Sequence, residues 1–155
     1  MVLSTDASGV AWGAHIHGKW ANTHQTGHVY DSGINAPSTL VPLAVDVSRK
    51  NMRGQFSAEE QKDWIHILEY KAVVNALHEL GPHIKNTCVR LWCDNSVVVA
   101  GLKKGFSTKP GINTLITDIH RTLASLNASL IVQWISTKDN IPADTLTRTN
   151  VGDNF

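Results

Sequence analysis

The chain contains little cysteine, no long apolar run and no excess of either charge. Its two cysteines, Cys88 and Cys93, lie five residues apart in a segment typical of a strand. Their side chains should therefore point to opposite faces, which excludes a disulfide between them and favours reduced thiols. The sequence also lacks the run of about 18 apolar residues that a membrane-spanning helix requires and the pattern of a secretory leader. We expect an intracellular protein without membrane segments, with cytoplasm, particle and nucleus left open.

The balance of charge excludes a strong general attraction to polyanions. Fourteen Lys and Arg residues face 13 Asp and Glu residues, so the net charge is only +1. Any affinity for nucleic acid must come from a local surface or a neighbouring domain. A hydrophobic share of 42% over 155 residues is typical of one globular domain. We expect this domain at 1–148, with a long insertion or loop at 18–53 and a polar tail at 149–155.

The apolar pattern predicts strands that alternate with helices. Strands are expected at Val2–Ala7, Val10–His17, Cys88–Cys93 and Ser129–Ser136, and an apolar island at 40–47 is a further candidate. Helices are expected from the capping-box sequence at Ser57 to Leu80, over Ser96–Lys103, over Ile112–Leu126 and from Ile141 onwards. This order predicts an α/β fold with a mixed sheet of about five strands flanked by helices.

Four carboxylates occupy unusual positions. Glu69 shares a helix face with apolar residues, where an unpaired carboxylate is costly. Asp6 lies near a strand terminus, Asp94 directly follows a strand, and Asp144 lies in a first helical turn. Converging carboxylates need cations, and hard oxygen ligands suit Mg²⁺ or Mn²⁺. Two such ions about 4 Å apart can catalyse phosphodiester cleavage.

The residues around these acids resemble the ribonuclease H domain of retroelement reverse transcriptases, of the gypsy-like or DIRS-like kind. The similar segments are Thr5-Asp6-Ala7-Ser8, Ile67-Leu68-Glu69-Tyr70-Lys71-Ala72, Trp92-Cys93-Asp94-Asn95-Ser96 and Ala143-Asp144-x-Leu146-x-Arg148. The resemblance covers nearly the whole chain except about residues 18–53. The third strand of the sheet is expected from this resemblance and not from the residue pattern. It implies a ribonuclease H-like fold and an endonuclease that cuts the RNA strand of RNA/DNA hybrids, beside a polymerase domain of the same polyprotein.

The resemblance also implies roles for individual residues. Asp6, Glu69, Asp94 and Asp144 would hold two Mg²⁺ ions, with Mn²⁺ as a possible substitute, and cleavage would leave a 3′-hydroxyl and a 5′-phosphate. Asn95 would contact a ribose 2′-hydroxyl, the group that distinguishes RNA from DNA. Ser8 and Lys138 are further candidates for contact with the substrate.

Two features depart from the family pattern. Many members carry an active-site His in the loop after the last strand, but this chain has Thr137-Lys138-Asp139-Asn140 there. Because this His is missing, we expect either slower cleavage or help from Lys138 in product release. The basic helix that some relatives insert after the third motif is also missing, and only a small patch of Lys103, Lys104 and Lys109 stands near that point. We expect weak binding of hybrid by the isolated domain.

Other interpretations stay open. The fold could serve as a noncatalytic connection module, or as a nuclease directed at DNA. The four acids could be turn, cap and ion-pair residues. Zinc binding by His15, His17, His24 and His28 lacks the usual ligand spacing, and the tryptophans are more typical of packing than of base stacking.

Overall fold

A mixed β-sheet forms the centre of the molecule in a computed structural model that describes residues 1–20, 29–31, 40–41 and 51–148. The strands are β1 (Val2–Ala7), β2 (Ala11–Trp20), β3 (Val29–Asp31), β4 (Leu40–Val41), β5 (Asn51–Gln55), β6 (Cys88–Cys93) and β7 (Ser129–Trp134). The five longer strands lie in the order β7, β6, β1, β2, β5. The short β3 pairs with the outer side of β7, and the short β4 pairs with the end of β2.

Strand directions match the order in which the elements follow one another. β1 is antiparallel to β2, because a tight turn joins them. β1 and β6 are parallel, and so are β6 and β7, because helices connect these strands. The predicted α/β architecture, with a mixed sheet of about five strands and flanking helices, is confirmed.

Four helices accompany the sheet. They are α1 (Ile65–Leu80), α2 (Ser96–Lys104), α3 (Pro110–Ser125) and α4 (Ile141–Arg148). α1 packs on β1, β2, α2 and α3, whereas α4 packs on β1, β2 and β5. Fully buried side chains such as Leu3, Leu77 and Leu91 form the core between α1 and the sheet, and each stabilises the fold by about 1.5–3 kcal/mol relative to exposure. The described part of the chain contains no helix that is long and apolar enough to cross a membrane.

The turn between β1 and β2 depends on Ser8. Its hydroxyl accepts hydrogen bonds from the backbone N–H groups of Val10 (3.3 Å) and Ala11 (3.1 Å). The predicted hairpin is therefore present, and β2 continues three residues beyond the predicted end at His17, to Trp20.

The start of α1 differs from the prediction. Ser57 and Glu60 form the expected capping box, with Ser57 N–H donating to Glu60 Oε1 (3.0 Å) and Glu60 N–H donating to Ser57 Oγ (3.1 Å). This box begins only the single turn Glu60–Lys62, because the backbone at Asp63 is extended (ψ 153°) and breaks the helix. α1 then begins at Ile65 and ends before Gly81, whose φ of +46° suits glycine.

Strand β5 was not predicted from the residue pattern. Met52 is its one buried apolar side chain, and its sequence Asn-Met-Arg-Gly-Gln gives no clear alternation. Pairing with β2, from His15 opposite Asn51 to Ala11 opposite Gln55, fixes it in the sheet. The rest of the predicted insertion, at 21–28, 32–39 and 42–50, and the tail at 149–155 lie outside the described residues, so the proposed domain division stays a prediction.

Candidate active site

Four carboxylates from distant parts of the chain meet at one edge of the sheet. Asp6 is the last-but-one residue of β1, and Asp94 directly follows β6. In the parallel pairing of these strands Thr5 lies opposite Cys93, so the residues that follow them, Asp6 and Asp94, lie at the same edge of the sheet. Glu69 from α1 lies close enough to interact with Asp6 and Asp94, and Asp144 from the first turn of α4 hydrogen-bonds to Asp6.

Burial and mutual repulsion disfavour ionisation in this cluster. Asp6 and Glu69 are each only 5% exposed. Burial raises the pKa of Asp6 well above its ordinary value, and the charge of Asp94, a hydrogen bond that protonated Asp6 donates to Asp144, and the charge of Asp144 raise it further. Burial also raises the pKa of Glu69, with additional contributions from Asp6 and Asp94. Without cations, burial and repulsion therefore favour the protonated form of both groups.

One oxygen of the cluster has no partner. Glu69 Oε2 is buried and accepts no hydrogen bond from the described residues. A buried acceptor without a partner costs about 1–3 kcal/mol, and a cation would satisfy it. All four carboxylates offer hard oxygen donors, so the residues fit a divalent ion of the Mg²⁺ type. Asp94 and Asp144 are only partly buried, which leaves the cluster open to solvent on their side.

Two residues that the sequence did not single out fix α4 beside β1. Asn140 is fully buried, and its side-chain Nδ2 donates to the backbone carbonyl of Thr5 (3.0 Å). The backbone carbonyl of Asn140 accepts the N–H of Asp144 (3.0 Å). The hydroxyl of Thr147 donates to the carbonyl of Asp144 (2.8 Å) and lies 3.4 Å from Asp6 Oδ2. These contacts hold Asp144 against Asp6.

Asn95 has a structural task beside the cluster. Its Oδ1 accepts hydrogen bonds from the N–H groups of Val97 (3.0 Å) and Val98 (3.1 Å) and so caps α2. Its Nδ2 lies 2.9 Å from Nδ1 of His66, three residues before Glu69. His66 is a further neighbour of the site that sequence reasoning missed.

An aromatic and cationic surface extends from His66. The ring of Trp64 meets the ring of His66 edge to face, with centroids 4.3 Å apart. Lys109, at the start of α3, places Nζ 3.7 Å from the centroid of the Trp64 ring. Trp64 is 44% exposed, so this Trp64 surface, formed by Trp64, His66 and Lys109, faces solvent next to Asn95.

The remaining candidates lie in simpler surroundings. Ser8 is half-buried, and its hydroxyl is engaged in the β1–β2 turn and lies 3.4 Å from the carbonyl of Thr147. Lys138 is exposed on the single turn Thr137–Asp139 that precedes α4. Roles in substrate binding for both residues stay predictions.

The histidines considered for zinc are held by other residues. His15 Nδ1 lies 2.6 Å from Asn51 Oδ1, and His17 Nε2 lies 2.9 Å from Ser4 Oγ. Burial lowers the pKa of His17 to about 4. His24 and His28 lie outside the described residues, and within the described ones no third metal-binding side chain joins His15 and His17.

A sulfur atom borders the carboxylates. Cys93 Sγ and one carboxylate oxygen each of Glu69 and Asp94 all lie within 4.8 Å of one another. Cys93 is fully buried and, like Cys88, is a free thiol, as the strand spacing predicted. The proximity of Cys93 to Glu69 was not predicted, because it depends on how α1 packs against β6.

The fold is similar to that of known ribonucleases H. Ribonuclease H1 from the halophilic archaeon Halobacterium salinarum is 14% identical, and the match covers 94% of this chain and 92% of that chain with a TM-score of 0.61. LC11-RNase H1, solved in complex with an RNA/DNA hybrid, is 15% identical over 94% of this chain and 91% of that chain, with a TM-score of 0.63. The N-terminal ribonuclease H domain of a Mycobacterium tuberculosis protein is 16% identical over 94% and 88%, with a TM-score of 0.59.

These likenesses establish a ribonuclease H-like fold. At such low identity they do not carry a function to this chain. At the level of sequence, no family model and no curated protein matches.

Proposed function

We propose that the chain is a ribonuclease H that cuts the RNA strand of RNA/DNA hybrids with two divalent metal ions. The observation that carries this proposal is the cluster of Asp6, Glu69, Asp94 and Asp144 at one edge of a ribonuclease H-like sheet. A buried oxygen of Glu69 in this cluster has no hydrogen-bond partner in the part of the chain that the structure describes. An ion-pair or capping role explains each acid singly. It does not explain why four acids meet at one place, where each raises the cost of ionising the others.

The chain's own residues have separable tasks in this reaction. Asp6 and Glu69 form the buried base of the site, and they would give up their protons when cations bind. Asp94 and Asp144, which are more open to solvent, would complete the ligand set on the side where a phosphodiester arrives. Mg²⁺ ions held there would supply a nucleophile at neutral pH and stabilise charge on the leaving oxygen. Asn140 and Thr147 would keep Asp144 in place.

Recognition of the substrate would begin next to the cluster. One N–H of the Asn95 amide is free of the cap and of His66, and it could reach a ribose 2′-hydroxyl. The Trp64 surface offers a ring for a sugar or base and a cation for a phosphate. Ser8 and Lys138 are proposed as outer contacts.

We further propose that residues 1–148 act as the ribonuclease H domain of a retroelement reverse transcriptase. The four segments that resemble this family support the assignment, and a neighbouring polymerase domain would supply affinity that a net charge of +1 does not. Cleavage would leave a 3′-hydroxyl and a 5′-phosphate.

The test is cleavage of end-labelled RNA/DNA hybrid beside the matching RNA, DNA and duplex DNA, in Mg²⁺ and in Mn²⁺. The Asp94→Asn variant should lose cutting by at least about a hundredfold. Asp118→Asn is the matched control, because Asp118 lies on α3 and contacts His78 rather than the cluster. Metal-dependent cutting of the RNA in the hybrid alone, lost in Asp94→Asn and kept in Asp118→Asn, would establish the proposal.

Two other outcomes would contradict the ribonuclease H proposal and favour another function. Cutting of duplex DNA in preference to hybrid would identify a nuclease directed at DNA. No cutting in either metal, even with a polymerase domain joined to the chain, would favour a noncatalytic module.

A further inference from the structure

The cluster contains one donor that a purely carboxylate site lacks. Cys93 is the last residue of β6, and its Sγ lies within 4.8 Å of a carboxylate oxygen of both Glu69 and Asp94. The thiol is fully buried beneath the carboxylates, while Asp94 is partly exposed. A cation that enters past Asp94 would therefore meet sulfur as well as oxygen.

The spacing suits one ion. Ligand atoms around a tetrahedral Zn²⁺ ion, with bonds of about 2.0–2.3 Å, lie about 3.5 Å apart. The three atoms at Cys93, Glu69 and Asp94 already lie within 4.8 Å of one another, so small side-chain rotations would bring them to that distance. The buried Oε2 of Glu69 accepts no hydrogen bond from the described residues, so the cluster also contains an unsatisfied acceptor.

Sulfur and carboxylate oxygen prefer different ions. Carboxylates suit Mg²⁺ and Mn²⁺, whereas thiolates select thiophilic ions such as Zn²⁺ and Cd²⁺. A cation that contacts all three atoms at Cys93, Glu69 and Asp94 is therefore one with affinity for both sulfur and oxygen.

We propose that a thiophilic divalent cation, Zn²⁺ or Cd²⁺, binds Cys93 Sγ together with Glu69 and Asp94 and thereby excludes Mg²⁺ from these two carboxylates. In the binding step one sulfur–metal bond and two oxygen–metal bonds form, the S–H bond of Cys93 and the O–H bond of a protonated Glu69 break, and the protons leave to solvent, with no change of oxidation state. Inhibition by the thiophilic ion rests on the proposed function, but its binding does not.

The binding test uses the full chain and Cd²⁺ alone, because a cadmium–thiolate bond absorbs in the ultraviolet and oxygen or nitrogen ligands do not produce this band. We expect the band to saturate at about one equivalent of Cd²⁺. Cys93→Ser should abolish it. Cys88→Ser is the matched control, since Cys88 is equally a buried free thiol but lies at the other end of β6.

Absence of the band in the unmodified chain would overturn the proposal, and so would its persistence in Cys93→Ser. Circular dichroism shows whether Cys93→Ser folds. If that variant does not fold, ¹¹³Cd NMR of the unmodified chain decides, because sulfur coordination and all-oxygen coordination give well separated shifts.

Cleavage provides the second arm. Cd²⁺ should inhibit Mg²⁺-supported cutting of hybrid by the unmodified chain and by Cys88→Ser, and at least about tenfold more Cd²⁺ should be needed for Cys93→Ser. A cadmium band without any cutting in Mg²⁺ would contradict the proposed function and leave the thiophilic site standing. Cutting in Mg²⁺ without the cadmium band would contradict the thiophilic site and leave the proposed function standing.

Discussion

The side-chain nitrogen of Asn95 lies 2.9 Å from Nδ1 of His66, and the side-chain oxygen of Asn95 lies 3.2 Å from the same ring nitrogen. Asn95 Oδ1 already accepts the N–H groups of Val97 and Val98, so its Nδ2 faces His66 as a donor. His66 Nδ1 therefore lies within hydrogen-bonding distance of both polar atoms of the Asn95 amide. Asn95 thus links the first turn of α2 to the start of α1, directly beside Asp94.

The two roles of Asn95 can be separated by substitution. Asn95→Ala removes the cap of α2 and should lower the free energy of unfolding by about 1 kcal/mol. Asn95→Ser keeps a capping oxygen and should recover most of that loss, but it lacks the amide N–H groups. Thermal unfolding measures the first effect, and cleavage of hybrid measures the second.

If Asn95 contacts the RNA, both variants should raise KM for hybrid by a similar factor despite their different stability. Full activity in Asn95→Ser would show that Asn95 only caps α2. Equal stability of the two variants would contradict the capping role.

Much of the fold could be predicted because it depends on local pattern. β1 and β6 have the predicted bounds, since the turn residues Ser8-Gly9 follow β1 and the polar residues Asp94-Asn95-Ser96 follow β6. β5 could not be predicted, because its place comes from pairing with β2. The prediction that α1 starts at Ser57 was wrong, because a capping box indicates a helical turn but not how long the helix continues.

The candidate site divides in the same way. The four acids could be selected from the sequence, since each lies at an element end or on an apolar face. Cys93, His66 and Asn140 could not, because each owes its place to tertiary contacts with Glu69, Asn95 and Thr5 respectively.

Stability of the metal-free protein should fall as pH rises. The pKa values of Asp6 and Glu69 are raised in the folded state, so their contribution is fully present below the ordinary carboxyl range near pH 4 and is lost as pH rises through the raised values. We expect the Tm in EDTA to fall by several degrees between about pH 5 and pH 8. Millimolar Mg²⁺ should raise the Tm more at the higher pH.

Other titrating groups also affect the Tm, so Glu69→Gln serves as the reference. This variant cannot ionise at position 69, and its Tm in EDTA should depend less on pH and respond less to Mg²⁺. A Tm that rises with pH more steeply in the unmodified chain than in Glu69→Gln would contradict the raised pKa.

Close contact between α1 and α2 depends on Gly101. The hydroxyl of Tyr70, the residue after Glu69, donates to the carbonyl of Val97 (3.2 Å), and a Cβ at Gly101 would collide with that hydroxyl. Gly101→Ala should therefore lower the free energy of unfolding by about 1–3 kcal/mol. It should also reduce cleavage, because the spacing between α1 and α2 positions Glu69 near Asp94. Denaturant unfolding and hybrid cleavage measure the two effects.

Gly111 provides the matched control within α3. A Cβ there would meet Ile67 Cδ1 at 3.8 Å, an ordinary contact. Gly111→Ala should stabilise the protein by about 0.5–1 kcal/mol, because alanine favours the helix. Equal effects of the two substitutions would mean that the contact with Tyr70 does not limit the packing of α2.

Binding of hybrid should depend on Lys109. Its ammonium group lies over Trp64 on the solvent side of the site, where a phosphate would find both a cation and an aromatic ring. In the Asp94→Asn background, which prevents cleavage, Lys109→Ala should weaken binding and reduce the slope of log K against log salt by about 0.9, the contribution of one phosphate contact. Lys85→Ala is the control, because Lys85 is exposed before β6, about 20 Å along the strand from Asp94. Fluorescence anisotropy at several salt concentrations measures the slope for both variants. An equal reduction of the slope in Lys109→Ala and Lys85→Ala would show that Lys109 contributes only general positive charge.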